Sequence, residues 1–200
     1  PRDAAAWCNS TGNQLISKEA TGGKSVVVIE KGEPKSCNIV TSCEGKGKTF
    51  IMFSDDLDKA LATFVLANGA AATGQKVTIF FTFWGLNVIK KLHKPNVEKD
   101  IFGKMFGMML PSSSRKLKLS KMSMGGIGGK MMRYIMNRKG IDSLESLRQQ
   151  ALENGVEFIA CQMSMDVMGV KQEELLDEVT IGGVATYMER ADNANINLFI

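Results

Sequence analysis

Residues 76–85, KVTIFFTFWG, constrain the fold more than any other stretch: nearly every side chain is apolar and nothing alternates. A half-exposed strand alternates apolar with polar residues. An unbroken apolar run of this length therefore reads as a strand covered on both faces, as in a parallel sheet with helices above and below it. Parallel strands need long crossovers, and the flanking segments supply them. TFIMFS (49–54) reads as a strand. DDLDKALATFVLANGAAATG (55–74) reads as a helix with Leu57, Leu61, Phe64 and Val65 on one face and Gly74 after its end. IDSLESLRQQALENG (141–155) is amphipathic on Leu144, Leu147, Ala151 and Leu152, entered through Asp142 or Ser143. VEFIAC (156–161) is a strand, a helix begins directly after it, and NINLFI (195–200) is a last strand. The pattern predicts an α/β fold with a doubly wound, mostly parallel sheet.

The start of the chain differs in kind. DAAAWCNSTG (3–12) reads as a short helix, and NQLISKEA with KSVVVIEKG as a hairpin around Thr21-Gly22-Gly23. A helix and a hairpin of this size cannot bury a core of their own. The chain also opens without methionine, so it is expected to be the tail of a longer protein. Three segments follow: a helix–hairpin remnant at 1–33, a linker at 34–47 where periodicity vanishes, and an α/β domain at 48–200. Four cysteines in 200 residues are too few for a disulfide framework, which makes reduced thiols and a cytoplasmic setting the expectation. No stretch approaches the roughly 18 uninterrupted apolar residues of a membrane span.

An insert at 86–140 interrupts the alternation. It carries 13 Lys/Arg against Glu98 and Asp100, whereas 141–200 carries 11 acids against three bases. Such a split suits contact with an acidic partner, an anionic cofactor or a membrane surface, or mutual neutralisation across a subunit contact. Two apolar helical pieces lie within it: Ile101, Met105 and Met108/Met109 share a face of the first, and Ile127, Met131 and Ile135 a face of the second. Methionine stripes of this kind suit core or subunit interface, with copper ligation the remote alternative because no histidine joins them. The insert thus reads as an oligomer contact, a lid or a docking surface.

Chemistry is sparse. The single histidine, His93, reads as a solvated loop residue, so neither a hydrolytic triad nor a histidine-rich metal centre has support. MGGIGGK (124–130) lacks the preceding strand and the spacing of a phosphate-binding loop. Cys37 and Cys43 read as linker thiols rather than a redox pair. In open α/β sheets the working residues lie just past the carboxyl ends of the strands, and Ser54-Asp55-Asp56, Trp84-Gly85 and Cys161 all fall there. Cys161 both ends a strand and opens a helix, a place where free backbone N–H groups favour a thiolate or a persulfide anion. A buried structural thiol is the competing reading, and position alone leaves both open.

From about Lys48 to Ile200 the chain resembles the DsrE/DsrF-like family of sulfur-relay proteins, in its variant with a Met- and Lys-rich insert. The resemblance is carried by FIMFSDDLDKALATFVLANGAAATGQKVTIFFTFWGLN, LKLSKMSMGGIGGKMM, EFIACQMSMDVMGV and GGVATYMERADNANINLFI. It implies a flavodoxin-like sheet, homo-oligomeric assembly, and one cysteine, here Cys161, that carries sulfane sulfur as a persulfide. On that reading Asp55, Asp56, Trp84 and Gly85 shape a pocket, Ser164 and the N–H groups after Cys161 support the anion, and Asp166 orients it. The bland alternatives are helix caps for Asp55, Asp56 and Asp166, and core filling for Trp84. Residues 1–33 resemble the carboxyl-terminal half of a TusA-like carrier through AWCNSTGNQLIS and VVVIEKG, without that family's Cys-Pro motif; Cys8 is given no role. Tandem arrangements behind a rhodanese module and a coenzyme A-disulfide reductase are known for such modules. The resemblance therefore implies rhodanese-like or TusA-like donors and acceptors, no tightly bound cofactor beyond coenzyme A or a persulfide ligand, no nucleic acid, and no metal. A binding module that uses the basic insert toward a partner protein, coenzyme A or an anionic surface is the alternative function. A flavin or nucleotide enzyme would rest on fold analogy alone.

Overall fold

The computed structural model describes residues 14–21, 24–30, 47–93, 95, 97 and 101–200. The helix expected at 3–12, Cys8, Cys37, Cys43 and nearly all of the 34–47 linker lie outside the described residues. The chain divides into two compact units, residues 1–44 and 45–200.

In the first unit β1 (Gln14–Thr21) and β2 (Lys24–Glu30) pair antiparallel, with a bulge between Leu15 and Ser17. This is the hairpin expected from the two strand-like runs.

The second unit is a five-stranded sheet in the order β6-β5-β4-β3-β7. Its strands are β3 (Gly47–Met52), β4 (Val77–Phe81), β5 (Glu157–Cys161), β6 (Thr180–Gly182) and β7 (Ala194–Phe199). Every pairing is parallel. The helices α1 (Leu57–Ala72) and α4 (Leu144–Glu153) pack together on one face. There Phe64 of α1 meets Phe81 and Phe158, with ring centroids 5.4–6.4 Å apart within the trio. Five consecutive buried residues in β4 fit a strand covered on both sides. Period-two alternation sends Ile79 and Phe81 toward α1 and Phe80 toward the opposite face.

Two details depart from expectation, and a third decides between two alternatives. First, the apolar run 76–85 is not strand throughout: β4 stops at Phe81 and Phe83–Ile89 forms a 3₁₀ segment. Leu86, Asn87, Val88 and Ile89 are buried, so the beginning of the expected insert belongs to the core. The fold of the chain at Gly85 explains it, because the Gly85 N–H returns to the Phe53 carbonyl at 2.8 Å and turns the apolar run inward. Second, α1 is rolled slightly from the predicted stripe. It buries Leu57, Ala60, Thr63, Phe64 and Ala67, while Val65 is exposed. Small residues at 60 and 67 let the helix sit close enough for Phe64 to reach its aromatic partners. Of the two residues expected to open α4, Asp142 or Ser143, it is Ser143 that caps the helix, accepting from the Ser146 N–H at 3.1 Å.

The insert holds α2 (Ile101–Met109) and α3 (Ile127–Arg138). Arg133 of α3 donates to Glu145 of α4 at 2.9 Å and to the Ser114 carbonyl at 2.9 Å, and the Ser114 hydroxyl donates to Glu145 at 2.9 Å. The insert is thereby fastened to the sheet unit by a partly buried ion pair. Its methionine faces are not core: Met105, Met108, Met109, Ile127 and Met131 are exposed. His93 is exposed, as expected.

The opposite face of the sheet is thinner. It carries α6 (Val184–Asp192), which crosses from the end of β6 to the start of β7. Tyr187 is the buried side chain of that helix.

Candidate functional site

The carboxyl ends of β3, β4 and β5 lie side by side, since these strands are neighbours with Met52 opposite Phe81 and Phe81 opposite Ala160. Sheet pairing therefore gathers Ser54–Asp56, Thr82–Gly85 and Cys161 along one edge, although they are far apart in sequence.

Hydrogen bonds stitch that edge together. The Thr82 N–H donates to the Met52 carbonyl at 3.1 Å, and the Thr82 and Ser164 hydroxyls lie 2.8 Å apart, both buried. Asn87 Nδ2 donates to the Asp55 carboxylate at 3.0 Å. Burial pushes the Asp55 carboxyl above the ordinary carboxylate range, and the Asn87 hydrogen bond offsets this only in part. Asn87 Oδ1, also buried, has no hydrogen-bond partner among the described residues.

Each predicted site residue has a definite place. Cys161 is 2% exposed and sits with Phe80, Ile159 and Tyr187 on the α6 face. It holds the N-cap position of α5 (Gln162–Met168), a helix of only seven residues, so the dipole behind the thiol is short. Gly85 is buried, and no other residue fits there: a Cβ would stand 1.9 Å from the Met52 carbonyl oxygen. Trp84 is 42% exposed and fills no core. Asp56 occupies the N-cap position of α1, yet its side chain makes no capping bond. It accepts from the Ser54 hydroxyl at 2.7 Å and pairs with Lys59 at 2.9 Å. Asp55 likewise turns to Asn87 rather than to the helix. Ser164 is buried with its hydroxyl on Thr82. Asp166 faces solvent, where it accepts from Gln162 at 3.0 Å.

Three residues of this edge were missed from sequence. Thr82 and Asn87 are polar residues inside an apolar run, which is the signal they carried. Arg148 lies on the buried face of α4 between Leu144 and Ala151. It donates to the Val88 carbonyl at 2.7 Å, holding the end of the 3₁₀ segment, and burial lowers its pKa despite Glu145 and Glu178 nearby. Its signal is the spacing 144, 148, 151, which puts it on the same face as Leu144 and Ala151.

Among the described residues no cluster of three or more His, Cys, Asp or Glu side chains is arranged to hold a metal ion. Nor is any helix among them long and apolar enough to cross a membrane.

Residues 45–199 match the sequence profile of the DsrE/DsrF/DrsH-like family. The uncharacterized protein YrkE of Bacillus subtilis is 44% identical over 155 residues, covering 78% of this chain and 97% of that protein. The sulfur carrier protein DsrE2 of Allochromatium vinosum is 38% identical over 161 residues, covering 78% and 99%. Among solved structures, the YchN protein from E. coli aligns with a TM-score of 0.44 at 10% identity, covering 77% of this chain and 99% of that one.

Proposed function

Since the chain belongs to the DsrE/DsrF/DrsH-like family, we propose that its sulfur-relay role runs through Cys161, which carries sulfane sulfur as a persulfide. The observation that carries this reading is the position of Cys161. It ends the interior strand β5 at the carboxyl edge of the sheet, inside the region matched by the family, and a relative of this chain is named as a sulfur carrier. In the proposed step the Cys161 thiolate attacks the outer sulfur of a donor persulfide, R–S–SH. A new S–S bond forms at Cys161, the donor S–S bond breaks, and the donor leaves as the thiolate R–S⁻. The reverse exchange with an acceptor thiol regenerates Cys161, so no external oxidant or reductant is consumed. Donor and acceptor are thiol proteins of the rhodanese-like or TusA-like kind.

The rest of the edge supports the thiol rather than touching sulfur. Thr82 and Ser164 fix the first turn of α5 behind Cys161, and Gly85 lets the β4 end fold against β3. Asp55 and Asn87 brace the neighbouring strand end.

The test is intact-protein mass spectrometry after incubation with a persulfide donor, beside Cys161→Ser. Gain of one sulfur mass, mapped to Cys161 and absent from the variant, is the expected result. A wild-type chain that gains no sulfur, even after mild urea exposes the thiol, sinks the reading.

One observation favours a second reading for the insert. Residues 101–141 hold nine Lys/Arg and no acid. They line most of a groove of about 270 Å³, with Leu119, Met122, Met131, Met132 and Ile135 as its apolar wall, and with Lys121 and the Asp58 carboxylate at its side. A binding role there toward an acidic partner protein predicts salt-sensitive association that Cys161→Ser leaves intact.

A further inference from the structure

A sulfur-carrying thiol has to meet its partners, yet Cys161 is 2% exposed. We propose that α6 is a lid over Cys161 which opens locally to admit donor and acceptor, with the Glu157–Arg190 pair as its latch. The proposal rests on the reading of Cys161 as the sulfur-carrying residue, and it concerns what controls access to that residue.

The two faces of the sheet are covered very differently. On one side α1 buries five residues and α4 three, and the aromatic trio Phe64, Phe81 and Phe158 locks them down. On the other, α6 buries Tyr187 alone among its nine residues, while Val184, Ala185, Met188, Glu189 and Asp192 are exposed. Tyr187 packs its ring 5.2 Å from that of Phe80 and shares one small apolar cluster with Phe80, Ile159 and Cys161. Its hydroxyl is 3.3 Å from that of Thr49, a long contact. A helix held by one buried side chain and the partly buried Ala191 has little apolar area to lose when it lifts, so its opening free energy lies far below that of the whole unit.

What remains is the latch. Arg190 donates to both carboxylate oxygens of Glu157, at 2.9 and 3.2 Å, and Thr78 adds a third hydrogen bond to the same carboxylate at 2.9 Å. Glu157 and Cys161 are the two ends of β5. The N-terminal end of α6 leaves the sheet through Gly182 and Gly183, where Gly182 pairs with Cys161 itself. No side chain at either glycine ties the first turn of the lid to the thiol. The lid is therefore anchored at its far end by a bidentate ion pair and on the cluster that holds the thiol by Tyr187, with the partly buried Ala191 beside it.

The experiment reads access without sulfur chemistry. Cys161 in the full chain is alkylated with iodoacetamide, and modification at that residue is followed by peptide-level mass spectrometry over a series of urea concentrations well below unfolding. For a local lid the Cys161 rate depends on urea far less steeply than global unfolding does, because little surface is exposed on opening. Arg190→Ala, whose pair is partly solvent-exposed, raises the rate in the absence of urea roughly two- to five-fold without steepening that slope. Two outcomes overturn the lid. One is a Cys161 rate that follows global unfolding in both proteins. The other is a rate equal to that of a free thiol at zero urea. Should alkylation behave as expected while persulfide donors load no sulfur, the lid stands and the sulfur-carrier reading falls.

Discussion

Gly85 lies directly over the Met52 carbonyl, so close that a Cβ at position 85 would stand 1.9 Å from the oxygen and 2.7 Å from the carbon. This contact lets the chain leave β4 and fold back against β3, and it sets where the carboxyl edge of the sheet ends. Backbone cannot yield as a flexible side chain does. Gly85→Ala is therefore expected to destabilise the unit by about 3 kcal/mol or more, at the upper end for overpacking. Chemical denaturation checks this, and a loss under 1 kcal/mol would mean the edge is more pliable than its geometry implies.

Thr82 and Ser164 form a buried hydroxyl pair. Thr82→Val keeps the shape but strands the Ser164 hydroxyl, and should lose about 1–2 kcal/mol. Replacing both, with Thr82→Val and Ser164→Ala together, removes the stranded group. The double-mutant cycle should therefore show non-additivity of roughly 1 kcal/mol. Strict additivity would show that the pair contributes nothing by joining β4 to α5.

The Arg133–Glu145 pair predicts how acid acts on the insert. Burial pushes the Glu145 carboxyl up, but the Arg133 charge and the Ser114 hydrogen bond outweigh it and hold the carboxyl below its ordinary value of 4.5. A depressed folded-state value means the fold favours the ionised form. That contribution is complete above 4.5 and is lost as the pH falls through the folded-state value. Glu145→Gln should cost about 1–3 kcal/mol at pH 7 and flatten the acid side of the stability profile. An unchanged acid limb in the variant would assign the acid sensitivity elsewhere.

Asp55 has the opposite sign. Its folded-state value is raised by burial, so ionisation is disfavoured in the fold. Stability falls as the pH rises from 3.8 through the folded-state value, and the penalty is complete above it. Asp55→Asn removes the charge, keeps an acceptor for Asn87 Nδ2, and supplies a donor toward the unpartnered Asn87 Oδ1. A gain of about 1 kcal/mol at pH 7 is expected. Thermal melts at pH 5 and 7 check it, and a less stable variant at pH 7 would reverse the assignment.

Element types were legible because they depend on local pattern. The apolar run around Ile79 and the heptad-like spacing of Leu144, Leu147 and Ala151 announce strand and helix before any partner is known. The same local signal placed Cys161, Asp55 and Gly85 at strand ends. It could not say where Phe81 would cease to be strand, because the turn at Gly85 answers to the Met52 carbonyl, some thirty residues upstream. Nor could it tell that Asp166, on the same short helix as buried Ser164, would face water, or that Met105, Met108, Met109 and Met131 would be left exposed.

By itself the sequence determined the βα alternation, the parallel sheet that follows from it, and the placing of one cysteine at the carboxyl end of a buried strand. These rest on periodicity and chain connectivity, which a few neighbouring residues fully express. Only the tertiary structure decided that Cys161 faces the thinly covered side of the sheet, under Tyr187, with Thr82, Asn87 and Arg148 bracing the edge beside it. Which face a residue meets, and what covers that face, depends on strand order and on helices that arrive from elsewhere in the chain, and no local pattern encodes that order.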